Sequence, residues 1–185
     1  MDVVSQLQRQ FLDYASSLYR EGYVDDQFYQ LQKLQDESNP DFLVEVVSTY
    51  FNDCQKLVQS MAQALEQQNV DFKLVDSHVH QLKGSSSSVG AVKLKNAFIV
   101  FRTFCEAQNQ EGCLRCLQQV NQEYSVLKNK LQQLFRILPT EAPKLGFSYF
   151  SPYLVTVVGA TDHCCRWVNS YDGMKMLVLF PSDEA

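Results

Sequence analysis

The stretch DFKLVDSHVHQLKGSSSSVG, residues 71–90, decides how this chain folds. Val75, Val79, Leu82 and Val89 recur at steps of four, three and seven, the spacing of one buried face of an α-helix. Asp71 is placed to cap its start and Gly90 to end it. At about 100° per residue, that face puts His80 about 140° from the core direction, Gly84 about 180°, Ser87 about 120° and Lys83 about 80°. All four share one outward face, and Lys83 is expected to be exposed. His78 falls near −60°, at the edge of the buried stripe, so His78 and His80 point to different sides of the helix.

The same periodicity extends in both directions. Residues 3–20 carry Val4, Leu7, Phe11, Tyr14, Ala15 and Leu18 at helical spacing, and Gly22 ends that helix. Phe28, Leu31 and Leu34 mark a short one. Asn39 is the expected N-cap of a long helix, with Pro40 in its first position and Asp41 complementing the positive end of its dipole. That helix runs to about Gln68, with Phe42, Val46, Thr49, Tyr50, Cys54, Leu57, Met61, Ala64 and Leu65 inward. Residues 91–108 place Leu94, Ala97, Phe98, Phe101 and Cys105 inward. Residues 111–138 do the same with Leu114, Leu117, Val120, Tyr124, Leu127, Leu131, Leu134 and Leu138, before Pro139 and Pro143. Short connections favour antiparallel neighbours. The expected fold is therefore all-α: an antiparallel four-helix bundle over about 40–138, with two N-terminal helices packed on it. From Ser148 the texture changes. Tyr153–Val158 and Met176–Phe180 are β-branched and aromatic runs, readable as short strands or as a disordered tail, so 1–147 is taken as the domain and 148–185 as an atypical tail of uncertain structure.

Composition narrows the function. The chain is acidic, with a formal net charge of −5, which disfavours nucleic acid as a partner. No basic amphipathic helix, no eighteen-residue apolar run and no signal-like N-terminus is present, so neither a membrane partner nor secretion is expected. The six cysteines are accordingly read as reduced thiols. Cys113 and Cys116 form a lone CxxC inside a helical pattern, which fits packing better than zinc or redox chemistry. His163, Cys164 and Cys165 stand in a row and do not readily converge on one ion, and the His78/His80 pair does not converge on a helix either. No metal site is assigned.

The outward face of 71–90 carries chemistry. Neutral imidazole is a good nucleophile near pH 7. A lysine one turn away can neutralise part of a phosphoryl charge. A glycine in mid-helix costs roughly 1 kcal/mol relative to alanine, and here it leaves room for another protein to approach His80. No Gly-rich phosphate loop of the GxxxxGK[ST] type and no kinase motif set occurs, so the chain is not expected to bind ATP or to phosphorylate itself.

The string HQLKGSSSSVGA at 80–91 resembles the H-x-x-K-G-x-S phosphorylation motif of plant histidine phosphotransfer proteins. The likeness extends through LQDESNPDF (34–42), KNAFIVFRTFCEAQN (95–109), CLQQVNQEY (116–124) and LKNKLQQLF (127–135), and covers roughly residues 1–147. The resemblance implies a helical bundle, with His80 as phosphoryl acceptor and Lys83 assisting by charge neutralisation. It implies that Gly84 permits docking, that Ser87 fills the family's small polar position, and that Gln81 lies beside the phosphoryl group. It further implies a carrier between receiver domains of hybrid histidine kinases, including cytokinin receptors, and those of response regulators. Such a carrier works as a monomer in cytoplasm and nucleus, with no cofactor of its own and with Mg²⁺ supplied by the partner receiver. Docking should use an apolar patch around His80 with a polar rim. Family members lacking the histidine cannot carry phosphate; His80 is present. Two other readings are a helical adaptor that binds receivers without carrying phosphate, and a redox or metal protein built on Cys113, Cys116 and residues 163–165.

Overall fold

The computed structural model describes residues 3–36 and 38–137, together with two short strands at 166–169 and 175–178. The chain divides into two compact units, Met1–Tyr149 and Phe150–Ala185. In the first unit, α1 (Val3–Arg20) and α2 (Asp26–Lys33) precede four longer helices: α3 (Phe42–Leu65), α4 (Phe72–Val89), α5 (Val92–Glu106) and α6 (Gln110–Ile137). Helix α3 packs on α4, α4 on α5, α5 on α6 and α6 back on α3, closing a four-membered ring; α1 lies against α6 and α2 against α4. The ring is antiparallel. The side-chain amide of Gln110, at the start of α6, donates to the Leu65 carbonyl at the end of α3 (2.7 Å), while Tyr124 donates to the Phe51 carbonyl further back (3.2 Å). The all-α bundle read from the sequence is the observed fold.

Its core is apolar and shared by all six helices: Leu18, Phe28, Leu43, Met61, Leu65, Leu82, Leu94, Phe98, Phe101, Leu131 and Leu134 are essentially inaccessible to water. The inward stripes expected for α4 and α5 are observed, and Phe72, the first residue of α4, is half-buried. Helix α3 differs. Its buried residues are Leu43, Val47, Tyr50, Phe51, Cys54, Val58, Met61 and Leu65, so its first half is turned by one residue from the expected Phe42, Val46 and Thr49. Leu57 and Ala64 are half-buried beside the stripe. In α6, Leu114 is exposed and Tyr124 half-buried, whereas Gly112, Cys113 and Cys116 are buried. A side chain at position 112 would run into the Phe104 ring, which ties the α5–α6 turn closely together. Leu7 and Tyr14 are half-buried; the Val4 side chain and Leu138 lie outside the described residues.

The helix ends show which local signals act. Asp71 Oδ1 accepts from the Lys73 and Leu74 amides (3.1 and 3.0 Å), satisfying donors that the first turn leaves free. Asn39 does not cap α3. It lies in a turn closed by Asp36, whose Oδ1 accepts from the Ser38 and Asn39 amides (2.9 and 3.0 Å), and Pro40 precedes the helix. Buried Gln35 instead offers its Oε1 to the Leu43 amide (3.3 Å). Helix α2 ends at Lys33, leaving Leu34 exposed as its C-cap. Gly22 and Gly90 end α1 and α4 in the left-handed region, at φ 69° and 78°.

The second unit contains an antiparallel hairpin, β1 (Arg166–Asn169) with β2 (Lys175–Val178), in which Arg166 faces Val178 and Asn169 faces Lys175. Strand β2 begins one residue before the expected run at Met176; β1 was not anticipated. Tyr153–Val158 lies outside the described residues.

Gly90 joins three elements. Its carbonyl accepts from the Asp25 amide (3.1 Å), and a Cβ there would come within 2.6 Å of the Phe28 backbone nitrogen. The left-handed backbone penalty of about 1–2 kcal/mol adds to that clash. Gly90→Ala is therefore expected to lose at least about 2 kcal/mol of stability in urea unfolding followed by circular dichroism. A loss below about 0.5 kcal/mol would show that this junction is not tightly fitted.

Candidate functional site

Helix α4 presents the candidate site. Its inner face buries Val75, Val79, Leu82, Ser86 and Val89. Three polar contacts on its flanks complete its seating. On the α3 side, Ser60 Oγ lies 3.2 Å from His78 Nε2, and Tyr50 Oη lies 2.8 Å from the fully buried Ser86 Oγ. On the α5 side, the Asp76 carboxylate and the Arg102 guanidinium pair at 3.5 Å, and Arg102 also reaches Glu106 at 3.2 Å. These contacts hold the rotation of α4 about its own axis.

That rotation places His80 outward and exposed, with Gln81 and Gly84 exposed beside it. His80 makes no hydrogen bond or ion pair with the described residues, in contrast to His78. Lys83 is half-buried rather than exposed. At about 80° from the core direction, it stands at the shoulder of the helix facing α5, where a lysine stem packs and its ammonium still reaches water. A Cβ added at Gly84 would meet nothing within 4 Å. The protein's own packing therefore does not require glycine there, and the space above the helix beside His80 is open.

The serines divide by role. Ser85 and Ser88 turn back on the helix, donating to the Leu82 and Gly84 carbonyls (both 3.2 Å). Ser87 is half-buried on the outer flank. The last position of the H-x-x-K-G-x-S pattern, counted from His80, is Ser86, not Ser87. Ser86 is the serine that the bundle uses, through Tyr50. Sequence reasoning missed this pair, because the Tyr50 hydroxyl finds Ser86 only once α3 and α4 are packed.

Comparison with known proteins agrees with this geometry. Residues 45–136 match the Hpt domain family. Histidine-containing phosphotransfer protein 5 of Arabidopsis thaliana is 62% identical over 136 residues, covering 73% of this chain and 87% of that protein. The chain belongs to the histidine-containing phosphotransfer family. A crystal structure of a histidine-containing phosphotransfer protein from Medicago truncatula superposes with a TM-score of 0.69 at 54% identity, covering 77% of this chain and 96% of that one. Pseudo histidine-containing phosphotransfer protein 2 of Oryza sativa subsp. japonica is 43% identical, over 76% of this chain and 93% of that protein. Likeness thus extends to both kinds of relative.

In this phosphotransfer protein the cysteines of the bundle are core residues. Cys54, Cys105, Cys113 and Cys116 are free and buried, with the Cys105 and Cys113 sulfurs 3.8 Å apart. Burial pushes all four thiols up, Cys54 to about 12. Thiols held protonated are poor nucleophiles and poor metal ligands at neutral pH. Among the described residues no group of His, Cys, Asp and Glu could hold a metal ion; His163, Cys164 and Cys165 lie outside them. Burial of Cys54 also has a consequence at alkaline pH. Its unfolded-state value is near 9.0 and its folded value about 12, so the folded chain binds more protons between the two. Its contribution is fully present below pH 9 and lost as pH rises toward 12. Cys54→Ala is expected to flatten the fall in unfolding free energy across that window; an unchanged slope would contradict the assignment.

Proposed function

We propose that this chain is a phosphorelay carrier. It accepts a phosphoryl group on His80 from the receiver aspartate of a hybrid sensor kinase and passes it to response regulators, in cytokinin signalling, as a monomer in cytoplasm and nucleus. The observation that carries this reading is the exposed imidazole of His80, in mid-helix, with Lys83 one turn on and open space over Gly84.

The chemistry is a displacement at phosphorus. The lone pair of the His80 Nε2 forms the P–N bond as the P–O bond to the donor aspartate breaks. The aspartate leaves as a carboxylate, and the proton on the other ring nitrogen passes to solvent. The return step reverses these bonds onto a second receiver aspartate. Little covalent machinery is needed for such a transfer beyond alignment and charge neutralisation. Lys83 supplies a cation, Gln81 a hydrogen bond beside the phosphoryl oxygens, and Ser87 a small polar edge. Mg²⁺ belongs to the receiver. A chain without an ATP-binding motif receives its phosphoryl group already activated, as a mixed anhydride with aspartate.

His80 also answers the contrast with pseudo relatives. An adaptor that never carries phosphate has no use for an exposed nucleophile. Incubation with a phosphorylated receiver is expected to place acid-labile phosphate on the wild type and none on His80→Gln, with both equally helical. Equal labelling of the two would remove His80 from the mechanism, and no labelling of the wild type would favour the adaptor. Gly84→Gln is expected to slow transfer by about tenfold or more, through crowding of the receiver, and to leave the helical signal unchanged. Transfer at the wild-type rate would contradict the role given to position 84.

A further inference from the structure

Helix α5 carries two large apolar residues at nearly equal exposure, Ile99 at 46% and Val100 at 47%. Neither is needed by the core, which α5 supplies with Leu94, Ala97, Phe98, Phe101 and Cys105. Their positions differ. The Asp76–Arg102 pair sets α4 and α5 level at those residues. Because the helices are antiparallel, four residues onward along α4 and three or four back along α5 bring His80 alongside residues 98 and 99. Direction follows from the same pair. His80 lies about 40° around α4 from Asp76, and Ile99 about 60° around α5 from Arg102, both outward from one seam. Val100 lies about 160° from Arg102, on the opposite flank of α5.

Ile99 is therefore an apolar side chain standing beside the phosphoryl-accepting imidazole, across the α4–α5 seam. Lys83 and Lys95 fall at one level of the same seam, about a turn away by the same count, and neither makes an ion pair among the described residues. A partner fitted to this surface brings an apolar contact for Ile99 and acidic groups for the two ammoniums. A receiver domain, with a carboxylate-lined pocket around its phosphoaspartate, has that character.

We infer that Ile99 is an anchor for the receiver domain, a positioning residue that aligns the donor aspartate with His80. The inference rests on the carrier reading of His80. It assigns to α5 a share of a docking surface that the sequence motif places on α4 alone. Ile99 touches neither phosphorus nor imidazole; its effect is on encounter and alignment, the step in which a central apolar contact matters most.

The test uses full-length wild type, Ile99→Asp, Val100→Asp and His80→Gln, with two phosphoryl donors. One is a purified receiver domain of a plant hybrid histidine kinase, loaded at its aspartate with acetyl phosphate. The other is phosphoramidate, a small donor that needs no docking surface. Ile99→Asp is expected to lower the second-order rate constant for transfer from the receiver by about thirtyfold. Its labelling by phosphoramidate should stay at the wild-type rate, and Val100→Asp should match wild type with both donors. Receiver transfer by Ile99→Asp at the wild-type rate overturns the inference. Equal loss in both α5 variants also overturns it, since the two flanks would then be equivalent. Loss with both donors in Ile99→Asp would place the residue in folding or chemistry instead of docking, and would likewise overturn it. If phosphoramidate and receiver label His80→Gln as well as wild type, the carrier reading itself has failed and the anchor fails with it.

Discussion

The rotational setting of α4 is the constraint from which the rest of the bundle's usefulness follows. A helix presents a different side chain every 100°. Turning α4 by a single residue would carry His80 to the shoulder of the core and put Gln81 at the angle His80 now holds. Burial of Val75, Val79, Leu82 and Val89 sets the angle coarsely, because apolar contact is non-directional. The polar contacts set it finely. Tyr50 with Ser86, Ser60 with His78, and Asp76 with Arg102 grip the helix from both neighbours and along most of its length. A hydroxyl left without its partner in that interior would cost about 1–3 kcal/mol, so the Tyr50–Ser86 pair penalises rotation more sharply than packing alone.

How much of this was legible in the sequence depended on the ambiguity of each stripe. Helix α4 alternates apolar and polar residues cleanly, and its outward face was assigned without a structure. Helix α3 opens with Phe42-Leu43-Val44 and continues through Val46-Val47 and Tyr50-Phe51. Adjacent apolar pairs satisfy two phases equally well, and the choice between them is made by the neighbouring helices. The same limit explains Leu114 and Tyr124, which match the period of α6 but lie at the margins of its buried face. At the start of α3, Asn39-Pro40 is a sound capping signal; it lost to Asp36, which gathers the Ser38 and Asn39 amides into a turn first. Contacts distant in sequence, Tyr50 to Ser86 and Asp76 to Arg102, carry no local signature. Assigning the motif's small polar position to Ser87 in place of Ser86 arose from reading a surface role for a residue that the core uses.

Electrostatics at the site run against the protein as a whole. The chain is acidic overall, yet the seam near His80 carries Lys83 and Lys95, which make no ion pair among the described residues, while Arg102 is engaged with Asp76 and Glu106. Arg102 ties α4 to α5 and reaches along α5 to Glu106; on the proposed reading, the two lysines are the cations an incoming phosphoryl group would meet. Other lysines are committed elsewhere: Lys93 and Lys130 lie over the Tyr23 ring at 3.5 and 4.5 Å, and Lys130 also pairs with Glu21 at 2.9 Å.

The bare backbone at Gly84 sets durability and purpose at odds. An alanine there would meet nothing within 4 Å and would strengthen the helix by roughly 0.5–1 kcal/mol. Selection acting on thermal robustness alone would adopt it readily. On the proposed docking role, a lineage that abandons phosphate carriage is free to take that step, while one that retains it keeps a weak point in this helix. In the descent of such proteins, position 84 would record whether transfer was still being maintained.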